Sequence, residues 1–131
     1  MLLMARKPIH SDDAPKAIGP YSQAIQVDAG KMTFLSGQIP LDPKTMEMVQ
    51  GDAATQAEQV MKNLRAVLLA AGLDFSHVVR CTIFLTDLND FAKVNEVYGR
   101  AFTGAPPSRA TVQVAALPRG AKVEIDAIAV S

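Results

Sequence analysis

Apolar and polar positions along the chain change period several times, and each change marks an element. Between residues 57 and 71, Ala57, Val60, Met61, Leu64, Val67, Leu68 and Ala71 recur at the i, i+3, i+4 spacing of one helix face. Glu58, Lys62 and Arg65 fall on the opposite, solvated side. Asp52 stands where a carboxylate can cap the first amides, and Gly72 stands where a helix can end. A second helical period runs from about Asp90 to Phe102, before Gly104. Its apolar stripe is Phe91, Val94, Tyr98, Ala101 and Phe102. Asn95 falls on the same stripe. A buried amide must find partners, so Asn95 is either a structural tie or a site residue.

Other stretches read as strands. "YSQAIQVDAGKMTFLSGQIP" predicts two strands around a turn at Ala29-Gly30. "SGQIPLDPKTMEMVQGD" carries two prolines and two glycines and predicts a loop, with a short strand near Met48. "HVVRCTIFLTD" is so apolar and β-branched that it predicts a central strand covered on both faces. In "RATVQV", Arg109, Thr111 and Gln113 share one face, with Ala110, Val112 and Val114 on the other. In "KVEIDAIAV", Lys122, Glu124 and Asp126 share a face with Ile128 and Val130. "AALPRGA" between them is long for a tight hairpin, so direct pairing of these two strands is not assumed.

The order is therefore β-β-α-β-α-β-β, an α+β domain. Two helices cover about one face of such a sheet. The second face still carries apolar side chains, and further subunits are the simplest cover for it.

Composition narrows the function classes. The 131 residues suit one domain spanning the chain, with about residues 1–14 as an N-terminal extension. Apolar residues make up 49%, enough for a core. Thirteen basic residues balance thirteen acidic ones, so no net field draws nucleic acid or an anionic membrane. The 5% aromatic content argues against a base-stacking platform. One cysteine, Cys81, precludes an internal disulfide and a CxxC metal site, and its apolar run predicts a buried inert thiol. "MLLMARKPIHS" has too short an apolar part for a signal peptide, and its charges follow that part. Met1 or Met4 can be the start. No apolar run approaches the ~18 residues of a membrane span. The expectation is a soluble cytoplasmic protein.

Known catalytic signatures are missing: there is no GxGxxG, Walker loop, HExxH or GxSxG. His10 and His77 are far apart and predict structural or exposed roles, and no metal-ligand set stands out. What remains is Arg109, Glu124, Tyr21, Asn95 and the Ser36-Gly37 turn. An arginine recognises a carboxylate through two parallel hydrogen bonds. A glutamate positions water or moves a proton. Glycine leaves backbone amides approachable. Together they suit a metal-free pocket for a small carboxylate. An arginine after Pro-Pro can equally be an exposed edge charge, and an alternating glutamate a solvated one. Composition and spacing stop at an oligomeric α+β domain.

Longer motifs carry more. "IGPYSQA" (18–24), "FLSGQIPLDPKT" (34–45), "NLRAVLLAAGLDFSHVVRCTIFLTDLNDFAKVNEVY" (63–98) and "PPSRATVQVAALPRGAKVEIDAIAV" (106–130) resemble the RidA family, the reactive intermediate deaminases also called YjgF or L-PSP. The likeness spans about residues 15–131. It implies a chorismate-mutase-like fold, a mixed sheet covered on one face by two helices, and a homotrimer with clefts between subunits. It implies hydrolysis of reactive enamines and imines from pyridoxal-phosphate enzymes, such as 2-aminoacrylate and 2-iminopropanoate, to 2-oxo acids and ammonia, without metal or cofactor. By position, it implies that Arg109 binds the substrate carboxylate and Glu124 orients water. Tyr21, Ser36, Gly37 and Asn95 would line the cleft. Thr111 stands where several relatives have cysteine; it would also bind substrate, keeping the backbone contacts and offering a hydroxyl in place of a thiol. Alternatives within the resemblance are an endoribonuclease that inhibits translation, a small-ligand sensor, and a chaperone-like protein.

Overall fold

The computed structural model describes residues 6–28 and 30–131. Its elements run β1 Arg6–Ile9, β2 Ala24–Val27, β3 Met32–Gln38, α1 Ala53–Ala70, β4 Val78–Leu85, α2 Phe91–Gly99, β5 Ser108–Gln113 and β6 Val123–Val130. One sheet has the order β3-β6-β4-β5. β6 is antiparallel to both neighbours, while β4 and β5 are parallel. A parallel pair needs a crossover, and α2 supplies it. The two helices pack on one face of this mixed sheet. β5 and β6 do not pair, because β4 lies between them.

Several expectations change. The predicted hairpin of residues 21–40 does not form. β2 pairs instead with β1, as a separate two-stranded antiparallel ribbon, and β3 pairs with β6. Period-two patterning marks a strand but carries no information about its partner. Of the expected turn, Ala29 lies outside the described residues, as do Met1 and Met4. β1 falls within the stretch assigned to an N-terminal extension, so the order gains one strand at its start. Arg6 anchors that strand: its guanidinium donates to Val78 O and to Ala105 O. The loop after β3 behaves as expected, with an isolated bridge from Leu41 to Met48.

α1 forms where its period places it. Asp52 accepts a hydrogen bond from Thr55 N at 2.9 Å, and Gly72 takes a left-handed φ of 75° after the last turn. Ala57, Val60, Met61, Leu64 and Leu68 are buried, whereas Val67 and Ala71 are exposed at the frayed edge of the stripe. Gln56 is buried, donating to Val49 O and accepting from Lys122 N, which ties the start of α1 to β6. α2 is shorter than its period predicts and ends at Gly99, with a 3-10 turn at Leu88–Asp90 before it.

β4 is interior to the sheet but covered on one face only. Cys81, Ile83 and Leu85 are buried against the helices, while Arg80 is exposed and Thr82 and Phe84 are half-buried. Val123, Ile125, Ala127 and Ala129 of β6 share the covered face. The other face carries Met32, Phe34, Phe84, Val112 and Ile128. Phe34 is 69% exposed, too large an apolar ring to leave in water without a reason.

Candidate active site

Strand pairing decides where the candidate residues point. Paired residues on neighbouring strands share a face, and successive residues alternate. Arg109 pairs with Cys81 and Thr111 with Ile83, so both sit on the helix-covered face at the sheet edge. Glu124 pairs with Phe84, one step out of phase, and sits on the open face. Within one chain the expected pair is therefore split between the two sides of the sheet.

Arg109 forms the first half of the site. Its Nη1 donates to Asn95 Oδ1 on α2. Three aromatic rings surround the guanidinium, with centroids 5.2 Å (Tyr98), 5.5 Å (Tyr21) and 5.6 Å (Phe91) from Cζ. Each such contact contributes on the order of 1 kcal/mol. Burial lowers the Arg109 pKa from its ordinary value, yet an arginine stays charged. Asn95 is thus tied to Arg109, which gives its amide oxygen the partner that a position on the apolar stripe requires.

Tyr21 is placed by its neighbour. Ser22 N donates to Pro107 O at 3.2 Å, and Ser22 Oγ donates to Pro106 O. Those prolines lead directly into β5, so the "GPYS" segment is fastened to the strand that carries Arg109. Tyr21, Phe91, Arg109 and Thr111 line an open cavity of about 230 Å³. The Thr111 hydroxyl is buried and has no hydrogen-bond partner among the described residues.

Glu124 lies against Gly37, beside the strand irregularity that holds Ser36 and Gly37. The β3–β6 register shifts between Leu35 and Gln38, a bulge that takes Ser36 and Gly37 out of regular pairing. A Cβ added to Gly37 would lie 2.9 Å from Glu124 Cδ and 3.1 Å from Cγ, and nearer still to Oε2. Only glycine lets the carboxylate rest against the backbone there.

The remaining candidates stand apart. His10 Nε2 lies 2.9 Å from Asp12 Oδ1 on the surface, and His77 Nδ1 accepts from Asp74 N in a capping turn. Cys81 is buried, and burial pushes its thiol pKa up to about 11. Among the described residues no three His, Cys, Asp or Glu side chains meet in a way that would hold a metal ion. A larger groove of about 710 Å³ lies on the outer side of the helices, but it shares no residue with the Arg109 cavity. Its charges are of both signs, and Arg100 bridges Glu58 across it at 3.7 Å.

Sequence reasoning missed Phe91, Tyr98 and Ser22. Phe91 and Tyr98 stood on the predicted apolar stripe of α2 and read as core. Their signal was the shared stripe with Asn95: positions 91, 95 and 98 lie on one helix face.

The fold belongs to a class that comparison with known proteins makes explicit. Residues 11–131 match the family described as Endoribonuclease L-PSP. The chain belongs to this family, the RidA/YjgF/L-PSP proteins. It is 85% identical to Protein DfrA of Myxococcus xanthus over 131 residues, covering 100% of both chains. It is 52% identical to the 2-iminobutanoate/2-iminopropanoate deaminase of Mus musculus over 130 residues, covering 99% of this chain and 95% of that one. A solved structure of E. coli TdcF with bound serine has a TM-score of 0.74 and 48% identity, covering 95% of this chain and 98% of that one. No helix among the described residues is long and apolar enough to cross a membrane.

Proposed function

We propose that the protein is a 2-iminobutanoate/2-iminopropanoate deaminase that needs neither metal nor cofactor and works as a homotrimer. The observation that carries this reading is the Arg109 guanidinium. It is half-buried and caged by aromatic rings, it has one hydrogen-bond acceptor in Asn95, and it has no carboxylate partner among the described residues. A partly desolvated cation with spare donors suits an anion from outside the chain. The cavity is sized for a small carboxylate, and the serine bound in TdcF is one.

Arg109 clamps the substrate carboxylate in this reading, with Tyr21 and Thr111 beside it. Glu124 activates a water. Because the two lie on opposite faces of one sheet, the open face of a neighbouring copy must bring its Glu124, Ser36 and Gly37 to the β5 edge of the first. The exposed Met32, Phe34 and Val112 on the open face support such self-association. Water attacks the C=N carbon of the protonated imine and passes one proton to Glu124, which gives a neutral carbinolamine. Glu124 hands that proton to the nitrogen, the C–N bond breaks with loss of ammonia, and the carbinolamine hydroxyl gives its proton back to the carboxylate as the C=O of the 2-oxo acid forms. Imines of this kind hydrolyse in water unaided, so orientation plus one acid–base group, worth about 10²–10⁴-fold, gives a useful rate.

The test generates 2-iminopropanoate or 2-iminobutanoate in situ with a pyridoxal-phosphate dehydratase and traps it with semicarbazide. The expected result is faster 2-oxo acid release with wild type, and only the uncatalysed rate with Arg109→Ala of unchanged circular dichroism and oligomeric state. No acceleration by a well-folded wild type refutes the deaminase reading.

A further inference from the structure

The start of β6, which carries Glu124, is short of strand partners. β4 holds it, with Val123 opposite Leu85 and Glu124 opposite Phe84. The β3 ladder reaches no further than Gln38 opposite Ile125, one residue short of Glu124. At this end of β6 a side chain from α1 takes over. Lys122 N donates to Gln56 Oε1 at 2.9 Å.

The other end of the same amide reaches the loop that follows Gly37. Gln56 Nε2 donates to Val49 O at 3.0 Å, and Val49 N donates to Pro40 O at 2.9 Å. Pro40 lies three residues after Gly37, and Lys122 lies two residues before Glu124. The Lys122 amide can only donate and the Val49 carbonyl can only accept, so the Gln56 amide has a single orientation. Gln56 is 4% exposed and stands with Ala53, Ala57 and Val60 on the buried side of α1. A buried amide costs free energy unless both ends are bonded. Bonded at both ends, it fixes the separation of its partners.

We propose that Gln56 is a positioning residue for Glu124. Its amide couples the backbone leading into Glu124 to the loop leaving Gly37, and so sets where the carboxylate lies. This rests on the imine reading above. Gln56 does not line the Arg109 cavity, so ligand binding there does not depend on it.

The experiment compares wild type, Gln56→Met and Gln56→Glu. The kcat/KM for 2-iminobutanoate comes from competition with semicarbazide, and the affinity for 2-oxobutanoate from calorimetric titration. Gln56→Met keeps the side-chain volume and loses both bonds. Its kcat/KM should fall by about 10–100-fold, the effect of a small misplacement of a catalytic group. Its affinity for 2-oxobutanoate should stay within about threefold of wild type. Gln56→Glu keeps an acceptor for Lys122 N, and regains a donor for Val49 O only when protonated. Burial raises the pKa of such a carboxyl, so its kcat/KM relative to wild type should recover as the pH is lowered from about 8 to about 6. Wild type carries the same Asp52 and Lys122 nearby, so the ratio removes their titration. Unchanged kcat/KM in Gln56→Met overturns this inference and leaves the imine reading intact. So does an equal loss of affinity and turnover, or a Gln56→Glu ratio flat with pH, since either assigns Gln56 to the fold as a whole. If Gln56→Met does not fold, the Gln56→Glu ratio decides. Wild type that accelerates no imine hydrolysis overturns the imine reading and this inference together.

Discussion

Gly37→Ala is a single-methyl perturbation aimed at Glu124 without touching it chemically. The new Cβ would lie 2.9 Å from Glu124 Cδ and 3.1 Å from Cγ, with Oε2 nearer still, so the carboxylate must move by roughly 1 Å or more to reach ordinary contact distance. Glu124 is half-buried on the open face, and the obstructed atoms are the far end of a flexible side chain. Moving to another rotamer or straining the present one costs about 0.5–1.5 kcal/mol. That corresponds to a Tm decrease of only a few degrees for a chain of this size. Displacing a catalytic group by about 1 Å costs about 10²-fold in rate. The two readouts should therefore separate. Thermal melts should show a small shift, titration with a 2-oxo acid should show binding at Arg109 largely retained, and kcat should fall by about two orders of magnitude. A Gly37→Ala protein with kcat within threefold of wild type refutes the argument, because the reaction would then not need Glu124 where the bulge holds it. A loss of several kcal/mol in stability would refute it differently, by showing that the carboxylate is locked in place.

Asn95→Leu removes the acceptor of the Arg109 Nη1 hydrogen bond. Leaving a partly buried charge unpaired costs about 1–3 kcal/mol, so urea melts should show that loss and KM should rise more than kcat falls. Tyr98→Phe removes a buried hydroxyl that has no hydrogen-bond partner among the described residues and lies beside the Cys81 thiol. Stability should stay equal or rise slightly in calorimetry, and a clear loss would reveal a partner for that hydroxyl. Burial raises the Cys81 pKa from 9.0 to about 11, so the folded state disfavours the thiolate. Stability from this group is complete below about pH 9 and falls as the pH rises towards 11. The fall is on the order of 2 kcal/mol, read as a shrinking denaturation midpoint that a Cys81→Ala protein lacks.

How much of this was legible beforehand follows the range of the interaction. The helix at 53–70 was readable with its cap, because the i, i+4 stripe and the Asp52 cap are local. The faces of Arg109-Thr111 and of Glu124-Asp126 were readable for the same reason, since alternation along a strand needs no partner. The RidA-type motifs named every predicted site residue. What the motifs could not convey was the division of the site. That Arg109 and Glu124 face opposite ways depends on Cys81 lying between Arg109 and Ala127 while Phe84 lies between Val112 and Glu124, a register set across three strands far apart in the chain.

The same limit explains the errors. "YSQAIQV" and "KMTFLSG" looked like a hairpin because each has strand composition and they are adjacent. The partner of β3 is β6, nearly a hundred residues on, and composition does not encode that choice. Phe91 looked like core because hydrophobic period cannot tell a buried ring from one that walls a cavity. The amino-acid sequence by itself determined the elements, the faces and the residue types available for chemistry, all of which rest on local geometry. The tertiary structure alone decided the strand partners, the phase between strands and the cage around Arg109. These are set by the long-range packing of the α1 and α2 stripes onto Val123, Ile125 and Ala127, where burial of one shared face selects a single register.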